Sequence, residues 1–308
     1  MRIGIVGTGA MGSVYAALLG DAGNEVWAID RRIDHIEAIR KNGLRLEGYS
    51  GDRTVKINAT TDTTEVGPCQ LVIIATKAMH VSAAAESAKA LLGPDTIVLP
   101  IQNGLGSSVK VADILGPERV ILGVVGGFGA SIKGPGHAHH NGMELVRLGE
   151  LNGPVSSRVE AVAEVWRAAG FSVKTFDDID QLVWEKLVCN VCFSGTCAIT
   201  EWTLEEVITD EDAWRVASGC ATEAFNVAKA KGIHLDFDDP VEYVRNFGSK
   251  MPKSRPSMLL DLLEGCPSEI DVINGAIPPE GEKCGVPTPY NIVVSSLVRA
   301  KEKQLGLR

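Results

Sequence analysis

The chain opens with the stretch MRIGIVGTGAMG, residues 1–12, which decides the fold of its first half. The apolar run Ile3–Val6 is typical of a short buried strand, and Met11–Ala22 has the apolar spacing of a helix. A strand, a glycine-rich loop and a helix in direct succession are typical of the phosphate-binding turn of a dinucleotide-binding fold. The six loop residues are Gly7, Thr8, Gly9, Ala10, Met11 and Gly12.

Each glycine of this loop has a physical task. Gly7 permits the tight turn, Gly9 lets the backbone approach a pyrophosphate, and Gly12 allows close contact between helix and sheet. The pyrophosphate would rest on the helix N-terminus, where N–H groups and the helix dipole favour anions. Asp30 ends the next predicted strand, Glu25–Ile29, where an acid would bind the ribose hydroxyls of an adenosine. The alternative is a glycine-rich turn without a ligand.

The choice between NADH and NADPH depends on the side chains around Asp30. Asp30 favours NADH, because a carboxylate repels a 2′-phosphate. Arg31, Arg32 and Lys77 would instead accept that phosphate, or they form an ordinary solvated basic face. The residues alone leave both cofactors open.

Short apolar strands alternate with amphipathic helices over the first half of the chain, which predicts a parallel sheet covered on both faces. The further predicted strands are Leu71–Ala75, Thr96–Leu99, Val120–Val125, Leu145–Leu148 and Val173–Phe176. Long helices are predicted at Ile179–Ile199, Asp210–Lys231, Asp239–Phe247, Met258–Glu264 and Tyr290–Leu305. We therefore expect an α/β domain, a Rossmann-type doubly wound sheet that binds NAD(P), over residues 1–177. A mostly α-helical substrate-binding and catalytic domain is expected over residues 178–308.

The composition excludes several classes of partner. The net charge is −9, and a nucleic-acid backbone requires a dense basic patch that this chain lacks. The N-terminus shows no signal peptide, and no apolar run approaches the roughly eighteen residues of a membrane span. The seven cysteines are predicted to be reduced, mostly buried thiols. We expect a cytoplasmic protein with no nucleic-acid or membrane partner, and the long helical domain offers surface for a homodimer.

Two clusters raise the question of a metal. No second cysteine pair at zinc spacing accompanies the first cluster, whose apolar helical pattern favours buried thiols: Cys189, Cys192 and Cys197. No matching carboxylate motif lies near the second cluster, which is predicted to form a turn or a hairpin edge: His137, His139 and His140. We predict no metal site.

A polar stripe lies on the first predicted helix of the second domain. Lys186, Asn190 and Ser194 are spaced i, i+4 and i+8, which places all three on one face of an otherwise apolar helix. Polar groups in such surroundings need partners, and a ligand cleft would supply them. Addition of a hydride to a ketone builds negative charge on oxygen, and a partly buried lysine can donate the proton. The alternative is a surface lysine.

Over essentially its full length the chain resembles the ketopantoate reductase (2-dehydropantoate 2-reductase) family. The resemblance is carried by six segments in order, Gly7–Gly12, Ala75–Ala78, Ile101–Gly106, Lys186–Asn190, Pro256–Asp261 and Glu269–Gly275. It implies NAD(P)H-dependent reduction of a 2-oxo acid to a 2-hydroxy acid. The substrate implied first is 2-dehydropantoate, whose product pantoate feeds pantothenate biosynthesis.

The resemblance also implies roles for single residues. Lys186 would be the general acid, and Glu269 would lie near the nascent hydroxyl to position the substrate or Lys186. Asn103 would lie between nicotinamide and substrate. Asn190 would contact the substrate, and Ser257 would bind its carboxylate. Arg31 and Lys77 match positions that recognise the NADPH 2′-phosphate, which favours NADPH over NADH.

Two residues depart from the family pattern. Ser194 stands where a second asparagine is usual, and its shorter side chain alters the reach of the pocket. Asp30 is unexpected in an NADPH-selective member and fits related NAD-dependent D-2-hydroxyacid dehydrogenases that resemble D-mandelate dehydrogenase. The substrate therefore stays open between 2-dehydropantoate and bulkier 2-oxo acids. A further alternative is a nicotinamide-binding regulatory protein without catalysis, because a fold alone does not guarantee chemistry.

Overall fold

A computed structural model describes residues 1–127, 129–142 and 145–308. The chain forms two compact units. The first consists of Met1–Gln102 and Gly106–Ile179, and the second of Asn103–Leu105 and Asp180–Arg308.

The first unit contains twelve strands and five α-helices among its described residues. In chain order the strands are β1 (Arg2–Val6), β2 (Glu25–Ile29), β3 (Leu44–Gly48), β4 (Arg53–Val55), β5 (Asn58–Thr60), β6 (Cys69–Ile74), β7 (Leu92–Pro100), β8 (Ile121–Gly126), β9 (Gly129–Gly134), β10 (His137–Gly142), β11 (Leu145–Glu150) and β12 (Val173–Thr175). The helices are α1 (Ala10–Asp21), α2 (Ile33–Asn42), α3 (Val81–Ala88), α4 (Ser107–Leu115) and α5 (Ser157–Ala168).

The central sheet has five parallel strands in the order β5-β2-β1-β6-β7. The apolar runs in β1 and β6 explain this arrangement, because a strand that is buried on both faces carries apolar side chains on both of them. Ile3, Ile5, Leu71 and Ile73 are all fully buried. The predicted Rossmann-type sheet is confirmed. Because β1 lies in the middle, the loop that follows it emerges at the carboxyl edge, between the ends of β2 and β6.

The remaining strands form two smaller sheets, which departs from a purely parallel arrangement. Strands β4, β3, β10 and β9 form one sheet, and β12, β11 and β8 form the other, with β11 antiparallel to β8. The strand predicted at Val173–Phe176 therefore ends this three-stranded sheet and not the central one. The expectation of a turn or hairpin edge at His137–His140 is also wrong in part. Strand β10 forms a hairpin with β9 but is interior, because β3 pairs with its other side.

The second unit is helical, and the structure describes no strand after Thr175. Its helices are α6 (Ile179–Thr200), α7 (Leu204–Thr209), α8 (Glu211–Ala230), α9 (Pro240–Ser249), α10 (Ser257–Leu263), α11 (Ile277–Cys284) and α12 (Pro289–Gln304). Their apolar faces enclose one core that includes Leu187, Val191, Ala221 and Val298. This confirms the predicted mostly helical second half of the chain.

Helix α6 contributes Leu187, Val188, Val191 and Phe193 to the core of the second unit. Among the described residues it is the one helix long and apolar enough to cross a membrane by length and composition, which corrects the expectation that no stretch approaches a membrane span. The share of its most apolar window that is buried inside the protein is 67%. Burial against α7–α12 thus accounts for its apolar character as a core helix.

Candidate active site

Gly7 makes the turn from β1 into the loop. Its φ is +94°, a conformation that favours glycine, and a Cβ there would lie 2.6 Å from the backbone nitrogen of Thr76. The Gly7 N–H donates to the carbonyl oxygen of Ile29 over 2.8 Å, which ties the loop to the end of β2. The loop is therefore fixed on both sides by the neighbouring strands.

Gly12 and Gly9 differ in what surrounds them. A Cβ at Gly12 would lie 2.2 Å from the carbonyl oxygen of Gly7, so Gly12 is required by packing within the loop. A Cβ at Gly9 would meet no described heavy atom within 4 Å. Glycine is therefore not required there by the protein's own packing. An open approach to the backbone at Gly9 fits a group from outside the protein, such as a diphosphate.

The N-terminus of α1 has the features of an anion site. Gly9 is its N-cap residue, and within the described part of the chain no side chain caps this end. Its first turn also contains no acidic residue. First-turn N–H groups and the positive end of the helix dipole therefore face the open side of the loop. The residues present fit a dinucleotide diphosphate.

A buried histidine holds the loop through a chain of hydrogen bonds. His35 on α2 is 1% exposed, and its Nδ1 accepts a hydrogen bond from the Gly136 N–H over 3.1 Å. The proton of the neutral ring is therefore on Nε2, which donates to Ser13 Oγ over 3.4 Å. Ser13 Oγ in turn donates to the carbonyl oxygen of Thr8 over 3.3 Å. Burial, followed by the charge of Arg32, lowers the pKa of His35 and favours this neutral form.

Asp30 follows β2 and is held by a near neighbour. Its carboxylate accepts hydrogen bonds from the backbone N–H and the Nε of Arg32, both over 3.1 Å. Arg32 also donates to the carbonyl oxygen of Thr8 over 2.9 Å. The Asp30 side chain is 13% exposed. Arg32 therefore balances the carboxylate and links it to the glycine loop.

Arg31 and Lys77 follow the two strands that flank β1. The Arg31 guanidinium lies 3.5 Å from Nε2 of His80, whose backbone N–H donates to the carbonyl oxygen of Lys77 over 2.9 Å. Arg31, Lys77 and His80 are all exposed. Burial, followed by the charge of Arg31, lowers the pKa of His80. The segment after β6 thus brings His80 and Lys77 to the side of the site where Arg31 lies.

Lys186 and Asn103 are brought together within the second unit. The ammonium of Lys186, on α6, donates to Oδ1 of Asn103 over 2.6 Å, and the two residues are 83 positions apart. Asn103 follows β7 in a short loop in which Gly104 has a φ of +77°. The turn tolerates only glycine at position 104, because a Cβ would lie 2.1 Å from the carbonyl oxygen of Val272.

The other residues predicted to bind substrate or to take part in catalysis lie on three segments of the second unit. Asn190 and Ser194 follow Lys186 along α6, where Asn190 is half-buried and Ser194 is buried. Glu269 is 7% exposed and directly precedes a short 3₁₀ turn. Ser257 is exposed as the first residue of α10. Roles for these four residues stay predictions.

Four cysteines of the second unit are inert. Cys189, Cys192, Cys197 and Cys220 are buried and form no disulfide. Burial raises the pKa of the Cys189 and Cys197 thiols to about 12, so they carry no thiolate at neutral pH. The prediction that the cysteines are mostly buried is confirmed. Over the described ranges no group of three or more His, Cys, Asp or Glu residues could hold a metal ion.

Sequence reasoning did not find two of the residues that shape the site. His35 lies in a polar helical segment, and its distance in sequence from Gly136 gives no sign of contact. Gln102 donates through Nε2 to the carbonyl oxygens of Ile74 and Thr76, which fixes the segment after β6. Its position directly before Asn103 was the one available signal.

The comparisons with known proteins agree with this fold. Two family models match the chain, "Ketopantoate reductase PanE/ApbA" over residues 3–153 and "Ketopantoate reductase PanE/ApbA C terminal" over residues 178–302. The fold and these matches define an oxidoreductase with a Rossmann-type unit and a helical unit. The chain belongs to the ketopantoate reductase family. The resemblance inferred from its motifs is confirmed.

Three relatives illustrate the match. The 2-dehydropantoate 2-reductase of Streptococcus pyogenes serotype M3 is 30% identical, and the alignment covers 100% of both chains. The crystal structure of a PanE/ApbA family ketopantoate reductase from Ralstonia eutropha has a TM-score of 0.91 at 33% identity, covering 99% of this chain and 100% of that one. The structure of D-mandelate dehydrogenase with NADH and anilino(oxo)acetate has a TM-score of 0.90 at 29% identity and covers 100% of both chains.

Proposed function

We propose that this protein reduces a small 2-oxo acid to a 2-hydroxy acid with a nicotinamide cofactor. The observation that carries the proposal is the hydrogen bond of 2.6 Å from Lys186 Nζ to Asn103 Oδ1. This bond joins the Lys186 ammonium, which can donate a proton, to an amide on the loop that follows β7 in the chain. Family membership supports the same class of reaction.

The first unit would hold the cofactor. The diphosphate would rest on the loop Gly7–Gly12, and Asp30 would accept hydrogen bonds from the adenosine ribose. The reduced nicotinamide, when bound, supplies the hydride for the keto carbon. We propose the division of labour expected above, with residues 1–177 for the cofactor and residues 178–308 for the substrate.

Lys186 would act as the general acid. Charge develops on the carbonyl oxygen as the keto carbon is reduced, and the Lys186 ammonium can transfer a proton to that oxygen. The Lys186 ammonium is held by Asn103, which restricts the rotation of the side chain. Glu269 would lie near the nascent hydroxyl and position the substrate or Lys186. Asn190, Ser194 and Ser257 would bind the substrate.

We propose 2-dehydropantoate as the substrate, which makes pantoate for pantothenate biosynthesis. Support comes from the name of the Streptococcus pyogenes relative, which the chain matches from end to end. A second candidate is an NAD-dependent D-2-hydroxyacid dehydrogenase. Asp30 favours it, and so does the likeness to D-mandelate dehydrogenase, whose structure contains NADH.

For the cofactor we propose a preference for NADPH with NADH also accepted. Arg32 balances the Asp30 carboxylate at 3.1 Å, which weakens its repulsion of a 2′-phosphate. The exposed Arg31 and Lys77 supply two positive charges nearby for that phosphate.

The test is a comparison of initial rates of NADPH and NADH oxidation with 2-dehydropantoate and with benzoylformate. Fast oxidation of NADPH with 2-dehydropantoate supports the main proposal. A preference for NADH and benzoylformate would move the protein to the D-2-hydroxyacid dehydrogenases. Cofactor binding without turnover of either acid would instead favour a regulatory protein.

We also propose a homodimer that forms through the second unit. Helix α12 presents Ile292, Val293 and Leu297 to solvent, each at least 50% exposed. Adjacent exposed apolar residues of this kind mark interaction surfaces. Light scattering after size exclusion should give a dimer mass, and Leu297→Glu should shift it to the monomer; a monomeric wild type would contradict this.

A further inference from the structure

One short segment of the second unit connects the residues proposed to take part in the reaction. We call Glu269–Asn274 the Glu269 segment. The carbonyl oxygen of its Val272 accepts the Leu105 N–H over 2.9 Å, which fixes the loop that bears Asn103. The residue before the segment, Ser268, donates through its N–H and hydroxyl to the buried carboxylate of Glu302 over 2.8 and 2.7 Å. The segment is therefore anchored at its start and holds the Asn103 loop at its middle.

Asn274 ends the segment and reaches helix α6. Its side chain is fully buried, and its Nδ2 donates to the carbonyl oxygen of Val191 over 2.8 Å and to Oδ1 of Asn291 over 3.0 Å. Both partners are acceptors, so the amide has one orientation in which these bonds form. Val191 directly follows Asn190 on α6.

The approach of Asn274 to α6 requires a glycine on the helix. A Cβ at Gly195 would lie 2.9 Å from Asn274 Oδ1 and 2.3 Å from Val294 Cγ1. A glycine inside a helix costs about 1 kcal/mol relative to alanine. Its presence here is explained by the close approach of both Val294 on α12 and Asn274 of the Glu269 segment, and not by any preference of the helix.

A second buried amide holds Asn274 from the other side. Asn291 is fully buried, and its Nδ2 donates to the carboxylate of Glu223 over 2.7 Å and to the carbonyl oxygen of Cys220 over 3.0 Å. These bonds tie α12 to α8. Asn291 therefore shares the burial and chemistry of Asn274 but makes its own donor bonds to α8.

We propose that Asn274 is a positioning residue for the reaction. It locks α6 to the same segment that fixes the Asn103 loop, and so it sets the distance between Lys186 Nζ and Asn103. The inference rests on the proposed function, since it assigns that distance a catalytic purpose.

The effect follows from the stiffness of a helix. Lys186 and Val191 are five residues apart on α6, so a displacement at the Val191 carbonyl is carried to the Lys186 backbone. A misplacement of about 1 Å in a reacting group can lower turnover by roughly 10²-fold. The residues proposed to hold the diphosphate and the adenosine ribose lie in the first unit, so the Kd of the cofactor should change far less than kcat.

The experiment compares Asn274→Ala with Asn291→Ala as the matched control. Asn274→Ala should lower kcat by roughly 10²-fold, while the Kd for NADPH changes far less. Asn291→Ala should lower the melting temperature about as much as Asn274→Ala does, because each removes a buried amide. Its kcat should stay within about threefold of the wild type, because Asn274 keeps its bond to Val191. If Asn274→Ala does not fold, Asn274→Ser, which retains a donor, should fold and show a smaller loss of kcat in the same direction. Equal kcat values for the variants at positions 274 and 291 would overturn the proposal.

A second readout does not depend on turnover. In hydrogen–deuterium exchange, the substitution at position 274 should speed exchange in peptides that cover residues 103–107 and 186–195. The control should speed exchange only around residues 218–224 and 290–295. If the wild type turns over no 2-oxo acid, the proposed function fails. The exchange pattern still tests whether Asn274 connects α6 to the Asn103 loop. The same exchange pattern in both variants would show that Asn274 does not connect α6 to the Asn103 loop.

Discussion

Gly9→Ala separates a ligand-binding role of the glycine loop from a role as a mere turn. A Cβ at Gly9 would meet no described heavy atom within 4 Å, and its φ of −73° is ordinary for an L residue. The free energy of unfolding should therefore change by less than about 0.5 kcal/mol. The added methyl group would lie where the diphosphate approaches the N-terminus of α1. Loss of one hydrogen bond to a charged group costs about 1.5–3 kcal/mol, which raises the Kd of the cofactor roughly 10- to 150-fold.

The matched control is Gly12→Ala. Its Cβ would lie 2.2 Å from the Gly7 carbonyl oxygen, so the loop or the helix must move. Overpacking of this kind costs about 1–3 kcal/mol of stability. Urea unfolding gives the stability of both variants, and calorimetric titration with NADPH gives the Kd. A Gly9→Ala variant that binds NADPH as tightly as the wild type would refute the assignment of the loop to the diphosphate.

Three further substitutions test the site. Lys186→Met keeps the length of the side chain without its ammonium, and steady-state kinetics should show turnover lower by about 10²–10⁴-fold at unchanged cofactor Kd; turnover near that of the wild type would remove Lys186 from the mechanism. His35→Asn retains an acceptor for the Gly136 N–H but cannot titrate. Because the folded pKa of His35 is lowered, the unfolded chain binds the proton first as the pH falls, and stability is lost below about pH 6.5. Urea unfolding between pH 7.5 and pH 5 (a range that spans about pH 6.5) should show a smaller loss for His35→Asn, and parallel curves would contradict this. Arg31→Ala should raise the Kd for NADPH about tenfold and leave that for NADH unchanged, because only NADPH has the 2′-phosphate; equal losses in calorimetry would exclude a phosphate contact.

The parts of the fold that could be predicted are those with a strong local pattern. Continuous apolar runs gave β1, β2 and β6, since strands buried on both faces leave a short signal that few other structures share. The polar strand β10 could not be found in this way. Its sequence, HAHHNG, has little apolar character, and it forms a strand because β3 and β9 supply hydrogen bonds on both sides. Such pairing is a tertiary effect that local propensity does not contain.

The candidate site divides in the same manner. The spacing of Lys186, Asn190 and Ser194 placed one stripe on one helix, which α6 reproduces. No periodicity joins Lys186 to Asn103, which are 83 residues apart, and the family resemblance alone suggested that they belong together. Asn274 was part of a matching segment but had no role, because its partner is a helix carbonyl that the sequence does not mark.

The loop Asn103–Leu105 has a consequence for recombination between family members. These three residues are part of the second unit, although the chain on either side of them belongs to the first. In a chimera that joins the first 177 residues of a relative to residues 178–308 of this chain, the relative's loop would have to pair with the Val272 carbonyl oxygen of this chain. A chimera that exchanges the helical half should therefore exchange residues 103–105 as well, although the gene encodes them apart from that half.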